Sequence, residues 1–203
     1  MPNLRVTSAF FYYDYSSDQI SSLIFVGPSP VIATRSAATK IYGWENELTW
    51  KVTSHDIVDG SLAFEKSKYS NFLTGSAADV DWSGKSLDKT LAAVLQAGVS
   101  HVFDFAKGSN LQVRIGTKFS TSYYLSDFVD AVQYKQKSYT RSDLTANWTS
   151  ADGKLTVQGY VHNIEDKMQA ESYTPPTVLT VVNGASATVS EPRMIGVRLG
   201  FKY

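Results

Sequence analysis

Apolar and polar side chains alternate along most of this chain. At the C-terminus Ile195, Val197, Leu199, Phe201 and Tyr203 form one set, and Gly196, Arg198, Gly200 and Lys202 form the other. The same period of two runs through 111–119, 143–149 and 155–162, and through Tyr42, Trp44, Leu48, Trp50 and Val52. It returns at Val58, Gly60, Leu62 and Phe64. Successive side chains of a strand point to opposite faces, so such runs predict strands with one apolar and one polar face. The single helix-like stretch, LDKTLAAVLQAGVSHVFDF (87–105), alternates in its second half and is also expected to be a strand.

The connections fall into two classes. Short turns are expected at TSHD (53–56), AKGSN (106–110) and SADGK (150–154). Long connections are expected near 26–39, 70–88, 124–134 and 168–191, which hold most of the proline. Short and long alternate, leaving strands near 4–25, 40–53, 57–69, 89–106, 109–123, 135–150, 153–166 and 193–203. An antiparallel meander with turns at one end and long loops at the other is the layout of an outer-membrane barrel. A tilted strand needs roughly 9–11 residues to cross a bilayer, whereas strands of soluble sheets average about 5–6. The expected fold is therefore all-β: an antiparallel up-and-down transmembrane β-barrel of about eight strands.

Periodicity alone does not say which face is inside. Long strands and unequal loops favour a lipid-facing apolar face, with Trp44, Trp50 and Trp148 on it. Glu45, Glu47, Lys51, Arg114, Lys118, Asp143, Arg198 and Lys202 then line a lumen. Trp44, Trp50, Trp148, Phe105, Phe201 and Tyr203 sit near strand ends, where interfacial aromatic girdles lie. A soluble lipocalin-like barrel with an apolar interior is the competing reading.

Composition removes several function classes. The 203 residues carry 19 Lys plus Arg against 19 Asp plus Glu, which leaves no basic surface for nucleic acid. There is no cysteine, hence no thiolate metal site, disulfide or cysteine nucleophile. His55, His101 and His162 are scattered and indicate no metal site. Glu45 and Glu47 share a strand face but read as solvated lumen charge rather than a catalytic pair. The sequon Asn147-Trp148-Thr149 lies in an expected membrane strand, and no phosphate loop opens a helix. No enzyme activity, cofactor or metal is expected. MPNLRVTSAFFYYDY lacks the pattern of a signal peptide.

Four segments together resemble the C-terminal part of TonB-dependent outer-membrane receptors. They are SAFFYYDYSSDQISS (8–22), KIYGWENELTWKVTSHDIVDGSLAFEKSKYSNF (40–72), NIEDKM (163–168) and EPRMIGVRLGFKY (191–203). Their order and spacing run over essentially the whole chain. The resemblance implies that residues 1–203 are the C-terminal portion of a 22-stranded barrel, without its plug domain. It implies a bacterial outer-membrane location and a part in energy-coupled uptake of a scarce nutrient of siderophore-iron, cobalamin or saccharide class.

The implied partners are outer-membrane lipid, a small nutrient ligand, the barrel-assembly machinery, and TonB only through the absent plug. Gly196, Leu199, Phe201 and Tyr203 fit the terminal-strand signal read by that assembly machinery. Candidate substrate contacts in the loops are Arg35, Trp82, Lys85, Tyr123, Tyr124 and Tyr173, with Lys40, Lys66, Lys68 and the stretch PPTVLTVV (175–182) as further candidates. The alternative is a stand-alone eight-stranded outer-membrane barrel with a structural or interaction role.

Overall fold

The computed structural model describes residues 3–26, 29–75, 79–125, 134–174 and 186–202. Tyr203 and the stretch 175–182 lie outside the described residues. Fourteen strands are present and, among the described residues, no helix. In chain order they are β1 Leu4–Val26, β2 Ser29–Lys51, β3 Asp56–Asn71, β4 Leu73–Gly75, β5 Asp79–Asp81, β6 Ala93–Asp104 and β7 Asn110–Ser120. There follow β8 Tyr123–Leu125, β9 Tyr134–Gln136, β10 Tyr139–Thr149, β11 Leu155–His162, β12 Ala170–Thr174, β13 Ser186–Val189 and β14 Met194–Phe201.

Eight of them form one antiparallel sheet in the order β1-β2-β3-β6-β7-β10-β11-β14, each bonded to its neighbour in sequence. The other six pair as three small hairpins, β4-β5, β8-β9 and β12-β13, set in the long connections. The alternating second half of the helix-like stretch is strand β6, as expected, while 87–92 is a loop. The short connections contain compact turns. Gly108 (φ 86°) and Gly153 (φ 67°) supply the left-handed residues of the second and third, a conformation that costs glycine nothing. In the first, the Thr53 hydroxyl accepts hydrogen bonds from the amides of His55 and Asp56.

One long connection is corrected. The expected loop at 26–39 is strand, since β2 begins at Ser29 and pairs with β1 from Val26↔Ser29 onward. Ser, Thr, Ala and Pro dominate this stretch, so no apolar alternation marks it. Among its described side chains Ala37 and Thr39 are buried, and residues this small or polar leave no apolar alternation in the sequence.

Register places the alternation in space. One rung crosses all eight strands through Leu4, Trp50, Val58, Val99, Ile115, Leu144, Val161 and Ile195. This apolar face is the exposed one: Phe10 is 80% and Val197 72% accessible. A soluble barrel would bury that face; this sheet turns it outward, as a lipid-facing wall requires. The compact core lies elsewhere. Ala37, Tyr69, Phe72 and Trp82 pack together, with Ile20 and Leu87 against them, where the chain after β3 folds back on β2 and β3. The sheet ends on β1 and β14, which do not pair with each other among the described residues, and both are exposed along most of their length.

Candidate functional site

The polar face of the sheet forms a hollow of about 460 Å³, lined among others by Gln96, Arg114, Lys118, Arg141, Asp143 and His162. Register builds it. The rung Thr7, Glu47, Ser61, Gln96, Lys118, Arg141 runs across six strands on this inner face.

Its charges are unequally matched. Arg114 is clasped by Asp59 through two hydrogen bonds, Nη1 to Oδ1 at 2.5 Å and Nη2 to Oδ2 at 2.8 Å. The same guanidinium also donates to Ser100 Oγ at 3.1 Å. His162 Nδ1 lies 3.4 Å from Asp143 Oδ2, and Asp143 Oδ1 accepts the Asn163 amide at 2.8 Å. Lys118 and Arg141 stand directly opposite one another in the β7–β10 ladder. Among the described residues neither has an ion-pair partner. Like charges facing across an antiparallel pair repel, and an anion seated between them removes that cost. The hollow can therefore hold an anionic group from the lumen side. Alternation marked Lys118 as inward, but its pairing with Arg141 depends on register, which no local pattern reveals.

The loop residues singled out from sequence divide into two groups. Trp82 is fully buried, and Lys85 Nζ sits 4.5 Å above its ring. That indole packs the segment that folds back on β3, and its burial removes it from contact with solvent. The segment is held by Tyr69 N to Lys85 O (2.9 Å) and Leu87 N to Ser67 Oγ (3.1 Å). Arg35 lies on β2 opposite Ile20, half-buried.

The second group is brought together. Tyr123 donates its hydroxyl to Ala170 O at 2.8 Å, Tyr173 packs on Tyr134 with centroids 3.7 Å apart, and Ala170 N donates to Gln136 Oε1 at 2.8 Å. These contacts dock the β12–β13 hairpin on the β8–β9 hairpin. Burial pushes the Tyr123 phenol upward in pKa, with further push from Tyr139 and Glu171. Tyr124 carries Lys135 Nζ 5.8 Å over its ring. Lys40, Lys66 and Lys68 lie on sheet strands, on the outward face, rather than in loops.

NIEDKM forms a knot at the end of β11. Asn163 is fully buried at φ 55°; its Nδ2 donates to Lys167 O and Glu191 O, both at 3.1 Å, and its Oδ1 accepts Lys167 N at 3.0 Å. Glu165 accepts the Ser142 amide at 2.7 Å and hydroxyl at 2.6 Å, and Asp166 accepts Arg193 N at 2.9 Å. The motif thus ties β11 back to β10 and forward to β14. Burial opposes ionisation of Glu165, but the Ser142 bonds, its own backbone and Arg193 outweigh it and hold the carboxyl below its ordinary range.

On β14, Leu199 and Phe201 point outward and are exposed. Gly196 lies beneath the Tyr160 ring, which fills the space a β-carbon on it would need.

Solved structures share this fold. The ferric yersiniabactin uptake receptor FyuA from Yersinia pestis superposes with a TM-score of 0.77 at 15% identity, over 100% of this chain and 28% of that one. The siderophore receptor PiuA from Acinetobacter baumannii gives 0.72 at 18%, over 99% and 26%. The copper transporter OprC gives 0.73 at 12%, over 99% and 30%. The chain thus spans under a third of the length of these structures. No curated protein matches it. The family model "TonB dependent receptor-like, beta-barrel" matches residues 2–164. With four-fifths of its length under that match and its eight-stranded sheet reproduced within solved receptors, the chain belongs to the TonB-dependent receptor β-barrel family.

Proposed function

We propose that this chain is barrel wall of an outer-membrane receptor that takes up an anionic metal chelate of the siderophore class. The observation that carries the substrate class is the unmatched Lys118–Arg141 pair facing the lumen. FyuA, a ferric yersiniabactin uptake receptor, and PiuA, a siderophore receptor, share this fold and support that reading. Energy coupling would reach this wall from TonB through a plug domain. The barrel-assembly machinery would read Gly196, Leu199, Phe201 and Tyr203, and Tyr123, Tyr124 and Tyr173 would meet substrate from the docked hairpins. Exposed edges on β1 and β14 favour a segment of a wider barrel over a stand-alone eight-stranded one, because unpaired backbone in hydrocarbon costs several kcal/mol per group.

The test replaces Lys118 and Arg141 by Glu in the natural polypeptide carrying these strands. Uptake of radiolabelled iron is measured in iron-starved cells, with outer-membrane amounts matched by immunoblot. A fall of about tenfold or more is expected if one charge-assisted contact is lost. Unchanged uptake at equal protein level would sink the anionic-chelate reading.

A further inference from the structure

The outward face of the sheet is nearly free of charge. From the turns up to the rung Asp14–Lys40–Lys68, its acidic and basic side chains among the described residues are Asp14, Lys40, Asp56, Lys66, Lys68 and His101. Four of these are paired: Lys40 Nζ with Asp14 Oδ2 at 3.3 Å, and His101 Nδ1 with Asp56 Oδ1 at 2.5 Å. Lys66 and Lys68 have no ion-pair partner among the described residues and are exposed.

Their position is equally specific. Phe10, Trp44 and Phe64 stack across β1, β2 and β3, with centroids 5.7 and 6.1 Å apart and rings 9° from parallel. Such outward aromatics sit at the level of lipid head groups. The next outward rung toward the long-loop end is Tyr12–Tyr42–Lys66, and the one above it Asp14–Lys40–Lys68. Residues two apart on one strand face place their side chains about 6.6 Å apart, close enough for both ammoniums to contact one phosphate.

The geometry points to a lipid-phosphate site: Lys66 and Lys68 grip the phosphate of a phosphorylated lipid in the leaflet facing the long loops. Charge complementarity and the aromatic belt directly below select that occupant. Acyl chains lie against Phe10, Trp44 and Phe64 while the head group meets the two ammoniums. Lys40, neutralised by Asp14, closes the row without adding free charge. This inference rests on the reading of the apolar face as lipid-facing.

The experiment uses the natural polypeptide carrying these strands, purified in nonionic detergent. It is titrated with bisphosphorylated lipid A and with its dephosphorylated counterpart, and bound lipid is counted by native mass spectrometry. The native protein and a K66R/K68R variant are expected to bind the phosphorylated lipid at least about tenfold tighter than the dephosphorylated one. A K66Q/K68Q variant is expected to lose that preference while keeping its heat-modifiable electrophoretic mobility. An unchanged preference in K66Q/K68Q, or none in the native protein, overturns the site and reduces the lysines to hydrated ends of the belt. Displacement of the lipid by an equal concentration of inorganic phosphate reassigns the site to the free ion. Recovery of the native protein outside membranes in flotation would instead overturn the lipid-facing reading itself.

Discussion

Arg114 of β7 reaches over β6 to clasp Asp59 of β3, and the α-carbon of Gly98 lies beneath the clasp. A β-carbon at Gly98 would fall 2.8 Å from Arg114 Cζ and 2.9 Å from Asp59 Oδ2. Three strands are thus locked by one guanidinium, provided the middle one carries no side chain.

Gly98→Ala is therefore expected to displace the clasp and cost up to about 1 kcal/mol, the worth of a partly exposed ion pair, because the atoms in the way are mobile side-chain ends. Gly159→Ala is the control, because nothing lies within 4 Å of a β-carbon there. Urea titration in detergent should show the first variant unfolding earlier and the second near the native midpoint. Equal midpoints for both would refute the clasp's dependence on Gly98.

Asn163→Ala should cost about 2–4 kcal/mol. A non-glycine residue without a capping amide in the left-handed region loses roughly 1 kcal/mol, and each stranded buried partner adds about 1 more. Asn163→Asp should be at least as damaging, since a carboxylate oxygen would then face the carbonyls of Lys167 and Glu191. Thermal unfolding ranks the variants; a mild Asp variant would contradict the assigned amide orientation.

Glu165 gives a pH dependence with a definite sign. Its carboxyl titrates lower in the folded chain than in the unfolded one, so it contributes stability above the ordinary carboxylate value of about 4.3. That contribution is lost as pH falls through the lower folded value. Glu165→Gln should be less stable than the native chain at neutral pH, and the two should converge in acid. Melting midpoints recorded from pH 7 downward test this, and a gap that widens in acid would reverse the assignment.

Arg141→Gln should separate stability from function. It relieves the repulsion with Lys118, a gain of about 0.2–1 kcal/mol that shrinks as salt screens it. If the proposed function holds, it should also weaken uptake of an anionic chelate. A variant less stable than native at low salt would mean that Arg141 has a hidden carboxylate partner.

Trp82→Ala should leave the eight-stranded sheet intact and loosen only the segment after β3. Removing a buried tryptophan costs about 3–5 kcal/mol, here confined to the local cluster with Ala37, Tyr69 and Phe72. Limited proteolysis should cut near 82–92 in the variant, with mobility on gels unchanged. Loss of the whole sheet would show that the cluster supports it.

The sequence by itself determined the eight strands of the main sheet apart from the first half of β2, their antiparallel order and the division of each into two faces, because a period of two is a local property of the backbone. It also singled out NIEDKM and the closing strand by resemblance. Tertiary structure decided what depends on partners. Register alone sets Lys118 against Arg141, places Gly98 under a distant ion pair, and stacks Phe10 on Trp44 and Phe64. Residues far apart in the chain meet only after the hairpins choose their rungs. Trp82 in its loop sequence looked open to substrate; folding buried it, because the segment around it is long enough to return to β3 and offers Tyr69 and Phe72 as partners. The strand at 26–39 escaped notice for another reason: the positions it buries are Ala37 and Thr39, too small or too polar to leave a hydrophobic record in the sequence.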